Sequence, residues 1–274
     1  MTISMQTKAR LALEFKQKTD RTTVISQQYY CLPLQIMEIF QDEERYGAWL
    51  YLLNPSGGML EGDRFDLSFV LHPGAAVRIT TPAANKIYKS ETDAAVQRLS
   101  ATLAAHAMLE YTPKHTIPYA NANYHQLNTF HLAENSTLFT YDTLTPGRMA
   151  RGESFQYTRC LLEQSIYIEN CLVCKDRSDI RPDRLDVRAM GAFAGKQILS
   201  AAYMYDARLP EDAIDRLYAA VAEFADIEIG FSALTGGLIV MKLLTDKVSV
   251  SESVLKSVQR CFRSFIAPTT AQPA

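Results

Sequence analysis

The sequence predicts a mainly β fold forming a single domain over residues 1–274, with two α-helices in its last quarter. Three observations lead there. A two-residue hydrophobic period recurs through the first three-quarters of the chain. The period becomes helical just after residue 210. No low-complexity linker or fixed-period repeat divides the sequence.

The elements follow in order. Ala9, Leu11, Leu13 and Phe15 alternate with polar residues, which places them on one face of a strand. Phe65, Leu67, Phe69 and Leu71 do the same. His72-Pro73-Gly74 then makes a turn, and Ala75, Val77 and Ile79 resume the alternation. That pattern reads as a hairpin, and a bend between two stacked sheets would look the same. Gln97–Leu103 and Phe155–Leu161 repeat the two-residue period, and Ile166 and Ile168 extend it. Pro210-Glu211-Asp212 then signals a helix start, with Ile214, Leu217, Val221 and Phe224 on one helical face. Gly237–Leu244 is apolar and reads as one more buried strand. Ser251 and Ser253 precede a second helix, whose face carries Leu255, Val258, Phe262 and Phe265. Periodicity leaves open a sandwich, a barrel or a stacked solenoid.

Composition removes several classes of function. A net charge of −2 argues against a basic nucleic-acid-binding face. Apolar runs such as Gly236–Met241 are too short to span a bilayer. The first ten residues lack the apolar segment of a signal peptide, and five scattered cysteines do not form a disulfide framework. Both features fit a reducing cytoplasm.

Three segments break the alternation with conformationally special residues. The first, Asn54-Pro55-Ser56-Gly57-Gly58-Met59-Leu60-Glu61-Gly62-Asp63, is a tightly specified loop between strands. It lacks the Lys-Ser/Thr of a P-loop, and a strand follows it where a dinucleotide fold needs a helix. Gly57, Gly58 and Gly62 are expected to have backbone roles only. The second, Thr80–Ser90, has small residues with Thr81, Lys86 and Tyr88. Its lysines read as blunting a strand edge. The third, Asp142–Glu153, holds Pro146-Gly147, which fits a type II turn, and Arg148, Gly152 and Glu153, a salt-bridged loop.

These three blocks, in this order and spacing, resemble the UreD (UreH) family of urease accessory proteins. Leu53–Asp63 is similar to that family's signature loop. Thr80–Ser90 matches its Thr-Thr-x-Ala-Ala-x-Lys-x-Tyr-x-Ser segment, and Pro146-Gly147-Arg148 with Gly152-Glu153 matches its Pro-Gly-Arg-x-x-x-Gly-Glu block. The looser likeness runs from about Ala9 to Phe265. The resemblance implies a β-helix-like stack of strands and a protein without a reaction of its own. It also implies binding to UreF, through UreF to the GTPase UreG, and to the urease apoprotein subunits. Nickel would be cargo in transit to urease through an internal polar passage, with no tightly bound cofactor.

Nickel held weakly needs oxygen or nitrogen ligands at breaks in the strands. Asp63, Asp142 and Glu153 are the acids so placed within the matching blocks. Loop capping is the competing role for Asp63 and Asp142. Phe262 and Phe265 exceed what docking a terminal helix requires. They are candidates for a UreF interface, against the simpler reading that they close the core.

Two other functions compete. A carboxylate-based hydrolase on a β scaffold could use Asp142 with Glu153, or Asp63 with Asp66, but no aromatic sugar-stacking cluster accompanies them. A free-standing metal-binding chaperone could use Cys171 and Cys174. No second pair or histidine spacing completes a zinc site, so both read as buried structural thiols.

Overall fold

A computed structural model describes residues 8–42 and 47–266. The chain runs β1 (Lys8–Gln17), β2 (Thr23–Cys31), β3 (Gln35–Ile36), β4 (Phe40–Asp42), β5 (Gly47–Leu53), β6 (Arg64–Leu71), β7 (Ala76–Thr80), β8 (Asn85–Ile87), β9 (Ala95–Leu103), β10 (Met108–Thr112), β11 (Thr116–Pro118), β12 (Asn123–Leu132), β13 (Thr137–Leu144), β14 (Arg159–Ile168), β15 (Cys171–Ile180), β16 (Ile198–Tyr205), α1 (Ala213–Val221), β17 (Glu228–Leu234), β18 (Leu238–Thr245) and α2 (Val248–Ile266).

From β5 to β14 the chain winds as a solenoid. Successive strands pass between two stacked sheets, and each joins its predecessor in parallel one coil later. The first sheet has the order β15-β14-β12-β9-β6-β1-β2. Its inner strands are parallel, and β15 and β2 are antiparallel edges. The second runs β17-β18-β16-β13-β10-β7-β5-β3, with β5, β7, β10 and β13 parallel. Ala48 lies beside Val77, Val77 beside Leu109 and Leu109 beside Leu138, so coils differ in length. That inequality hides the repeat from a search for a fixed period. Every coil nonetheless carries proline shortly after its second-sheet strand ends, at Pro55, Pro82, Pro113 and Pro146. Proline has no N–H to continue a ladder, so it turns the corner.

Between the sheets lies one apolar layer. Leu11, Phe15, Phe65, Phe69, Leu50 and Ile79 are each no more than 2% exposed. A second apolar layer joins the outer face of the second sheet to both helices, through Phe139, Met204, Met241, Leu217, Val258 and Phe262. Helix α2 is also tied down by charge. Glu110 of β10, itself buried, accepts hydrogen bonds from Arg263 Nε at 2.6 Å, Gln259 Nε2 at 2.9 Å and Arg78 Nε at 3.2 Å. Among the described residues no helix is long and apolar enough to cross a membrane.

The structure departs from the sequence reading at several places. Helix α2 begins at Val248, so Ser251 and Ser253 lie inside it and do not precede it. His72-Pro73-Gly74 is a bend and not a hairpin, because β6 and β7 belong to different sheets. The strand expected from Phe155 begins only at Arg159. Phe155 has φ +53° and stacks edge-on against Phe193 at 4.9 Å instead. Gly147 has φ +143°, wider than the type II turn requires, and the loop is closed by the Phe155 N–H donating to the Pro146 carbonyl at 2.7 Å. Cys171 is exposed, and only Cys174 of that pair is buried. Cys171 is the first residue after the β14–β15 turn, where the sheet edge meets solvent.

Candidate functional site

The solenoid has a third, narrow side, and it is built from the three unusual segments. The Met59 N–H donates to the Lys86 carbonyl at 2.8 Å, and the Tyr88 N–H returns to the Met59 carbonyl at 2.9 Å. Strand β8, within the second segment, pairs with β11, and β11 pairs with Leu144 of the third. Segments far apart in sequence are thus successive rungs of one ladder. Gly57 and Gly62 have φ +80° and +76°, as their expected backbone role requires. Gly58 serves differently. Its φ is ordinary, but a β-carbon there would collide with the Lys86 carbonyl and lie 2.7 Å from Tyr88 Cε2. Strand β11 was missed as a functional segment; the Thr112-Pro113 that precedes it repeats the Thr81-Pro82 and Thr145-Pro146 corners.

On its outside, this ladder carries a column of rings and charge. Tyr88 packs edge-on against Tyr119 at 5.0 Å, and the Arg148 guanidinium lies 4.1 Å from the Tyr119 ring centre. Arg148 Nε donates to Glu153 Oε2 at 2.7 Å, and this partnership lowers the Glu153 pKa. Gly152, with φ +75°, ends the short 3-10 turn between them. Glu61 anchors the first loop by accepting from Thr92 Oγ1 at 2.6 Å and the Asp93 N–H at 2.8 Å, which pulls its pKa to about 2. Asn54 organises the tip of that loop, where its Oδ1 accepts from the Ser56 N–H at 3.2 Å.

Inside the ladder is a cavity of about 380 Å³, bounded by Asn54, Pro55, Gly58, Thr81, Lys86 and Lys114 on one side and reaching Asp142 on the other. Strand β12 turns Tyr124, Gln126 and Asn128 inward and Leu127 outward, which puts amides in the space between the sheets. A hydrogen-bonded chain results. Asn85 Nδ2 donates to Tyr124 Oη at 3.3 Å, and Tyr124 Oη donates to Gln126 Oε1 at 3.1 Å. Gln126 Nε2 then donates to Asp142 Oδ1 at 2.5 Å, while Asn128 Nδ2 donates to Asp142 Oδ2 at 3.2 Å. Asp142 is enclosed, and the surface it retains faces the cavity. Burial pushes its pKa up to about 6, against the opposing pull of Gln126 and of Lys242.

Asp142 also lines a second, smaller cavity of about 20 Å³, with Gln164, Asp176, Tyr203 and Lys242. Among the described residues it is the only one common to the two. Gln164 is 2% exposed, and neither atom of its amide has a hydrogen-bond partner among the described residues. Polar side chains thus line up from Asn85 through Gln126 and Asp142 to Gln164, while other parts of the larger cavity's wall, with Leu34, Leu52, Phe65 and Leu67, are apolar like the core around it.

The other candidate residues lie elsewhere. Asp63 is buried and caps its loop, accepting the Leu60 N–H at 2.8 Å through Oδ2. Glu153 sits on Arg148, outside both cavities. Neither imagined hydrolase pair shares a cleft, since Asp66 points outward toward Arg98. Phe262 is buried against Phe139, with ring centres 5.6 Å apart, so its surface serves the core. Phe265 is half-buried beneath the Arg216 guanidinium at 4.5 Å. The pair Cys171 and Cys174 does not offer two thiols to one ion, one being exposed and the other buried. Among the described residues no three His, Cys, Asp or Glu side chains converge to hold a metal ion. A group of exposed apolar side chains that the sequence did not signal lies on and after edge strand β2, with Tyr29, Tyr30, Leu32 and Met37.

Comparison with known proteins agrees with the motif resemblance. The sequence matches the UreD urease accessory protein family over residues 7–274. A urease accessory protein UreD of Staphylococcus epidermidis is 35% identical over 212 residues, 76% of each chain. The proteins of the same name from Staphylococcus aureus strains JH9 and Newman are 30% identical over the same share of each chain. The protein belongs to the UreD family of urease accessory proteins.

Proposed function

We propose that this member of the urease accessory protein family serves urease maturation as a non-enzymatic scaffold in the cytoplasm. In this reading it binds UreF, recruits UreG through UreF, engages the urease apoprotein and passes nickel to the urease active site along its polar lumen. The observation that carries the reading is Asp142. It is an enclosed carboxylate that borders both cavities and is oriented by Gln126 and Asn128. A carboxylate flanked by amides offers oxygen ligands that bind a borderline divalent ion less tightly than thiolates do, as transfer demands. Burial without a paired cation in direct contact leaves charge to be neutralised, which a passing cation does.

The scaffold role is tested by expressing the protein with UreF, UreG and the urease structural subunits and purifying on a tag placed on this chain. Recovery of UreF and urease together supports it. Recovery of the tagged chain alone, in folded form, contradicts it.

A further inference from the structure

The smaller cavity reaches solvent through its partly exposed lining residues Asp176 and Lys242, which face each other from the two sheets. Asp176 belongs to β15 of the first sheet, and Lys242 to β18 of the second. Their side chains form an ion pair across the gap, and Tyr203 Oη of β16 donates to the same Asp176 oxygen at 2.6 Å. The Asp176 side chain is 20% exposed and that of Lys242 is 41% exposed. Asp142 lies on the inner side, and the unpartnered Gln164 amide lines the space with them. Glu163 and Lys175, the other charged pair here, satisfy one another at 3.4 Å.

This arrangement puts a tethered cation at the rim of a small cavity lined by Asp142, Glu163 and Asp176. Resting on the reading that a metal ion traverses the lumen, we propose that Asp176 is a cation-exchange point at that rim, where the Lys242 ammonium is the resident charge that a divalent cation displaces. Lysine suits the task, as a compact point charge on a flexible four-carbon stem able to swing into solvent. Gln164 and Asp142 supply further oxygens to the incoming ion. Lys242 returning to Asp176 disfavours its retention, so an ion leaves without a competing ligand having to pull it away. No bond is made or broken beyond the exchange of ligands on the ion.

Lys242 itself reports the exchange. The full-length wild-type protein is reductively methylated with and without nickel(II) chloride, and modification of Lys242 is followed by peptide mass spectrometry. Nickel is expected to raise the rate at Lys242 severalfold, because the freed ammonium loses its carboxylate. In Asp176→Asn the rate is expected to be high and indifferent to nickel. An unchanged or lower rate at Lys242 in the wild type overturns the proposal. Lys242→Met, which keeps the stem and removes the charge, is expected to bind nickel about fivefold more tightly by competition with a chelating dye, the scale of one half-exposed charge contact. Equal or weaker binding by a folded K242M variant also overturns it. These readouts need no urease. A wild-type protein that shows the exchange, yet whose Asp142 variant matures urease normally, would lose the route through the lumen and keep the exchange point.

Discussion

Gly58 lies against Lys86 so closely that no β-carbon fits between them, the nearest obstacle being the Lys86 carbonyl itself. That carbonyl cannot move away, because it accepts the Met59 N–H that joins the first loop to the ladder. Gly58→Val is therefore expected to lower stability by about 2–4 kcal/mol, the scale of overpacking a buried site with loss of a ladder bond. Gly57→Ala, where φ is +80° and the nearest atom, Tyr88 Oη, would be an ordinary contact at 3.9 Å, is expected to cost only about 1 kcal/mol. Denaturant midpoints of the two variants check the order. An unchanged midpoint for Gly58→Val would remove the close approach as the reason for glycine.

The Asp142 carboxyl titrates at about 6 in the folded protein, above the usual 3.8 of the unfolded chain. Its charged form is thus disfavoured by folding. The cost is absent below about pH 4, grows as pH rises, and is complete above about pH 6. Asp142→Asn removes that cost and keeps a side chain of the same shape. It is expected to be more stable than the wild type by about 1–2 kcal/mol at pH 7.5, allowing for the cavity's polarity, and no more stable at pH 4. Thermal melts at the two pH values test this. A variant less stable than the wild type at pH 7.5 would show that the carboxylate is structural.

Asp63, itself buried, accepts the Leu60 N–H within its loop, so Asp63→Ala removes that loop contact. A loss of about 1–2 kcal/mol is expected. Asp63→Asn, which still offers an oxygen, is expected to fall by less. If urease matured with Asp63→Asn lacked nickel while that variant remained stable, Asp63 would act on the metal and not on the loop.

Phe262 and Phe265 are three residues apart on α2 and differ in burial. Phe262→Ala is expected to cost about 3–5 kcal/mol, as for a buried aromatic ring. Phe265→Asp is expected to keep the fold and to weaken capture of UreF in a pull-down, since Phe265 lies at the margin of the core and keeps part of its surface accessible. Loss of folding together with UreF capture would assign Phe265 to the core as well.

The strands were legible where one face is apolar. Leu11, Leu67, Val77 and their neighbours all point into the core as the alternation requires. Both helices and β18 were legible for the same reason, but β17 between them was not, because Phe231 is its one buried side chain and gives no alternation to read. The lumen was not, because β12 reverses the rule and buries Gln126 and Asn128 in place of Leu127. Hydrophobicity reports burial only where the interior is apolar, and polar residues in alternation look outward-facing. The ladder of the three segments was also hidden, since its rungs are one to three residues long and too short to show a period. The corner prolines would have revealed the coils to a search for punctuation after strands.

The most direct test of the central claim is the nickel content of urease matured with Asp142→Asn, co-expressed with UreF, UreG and the urease subunits. The lumen route predicts a folded variant that still assembles with UreF and urease, while nickel per urease active site falls severalfold. Urease with its full nickel content, matured by that same assembled variant, would contradict it.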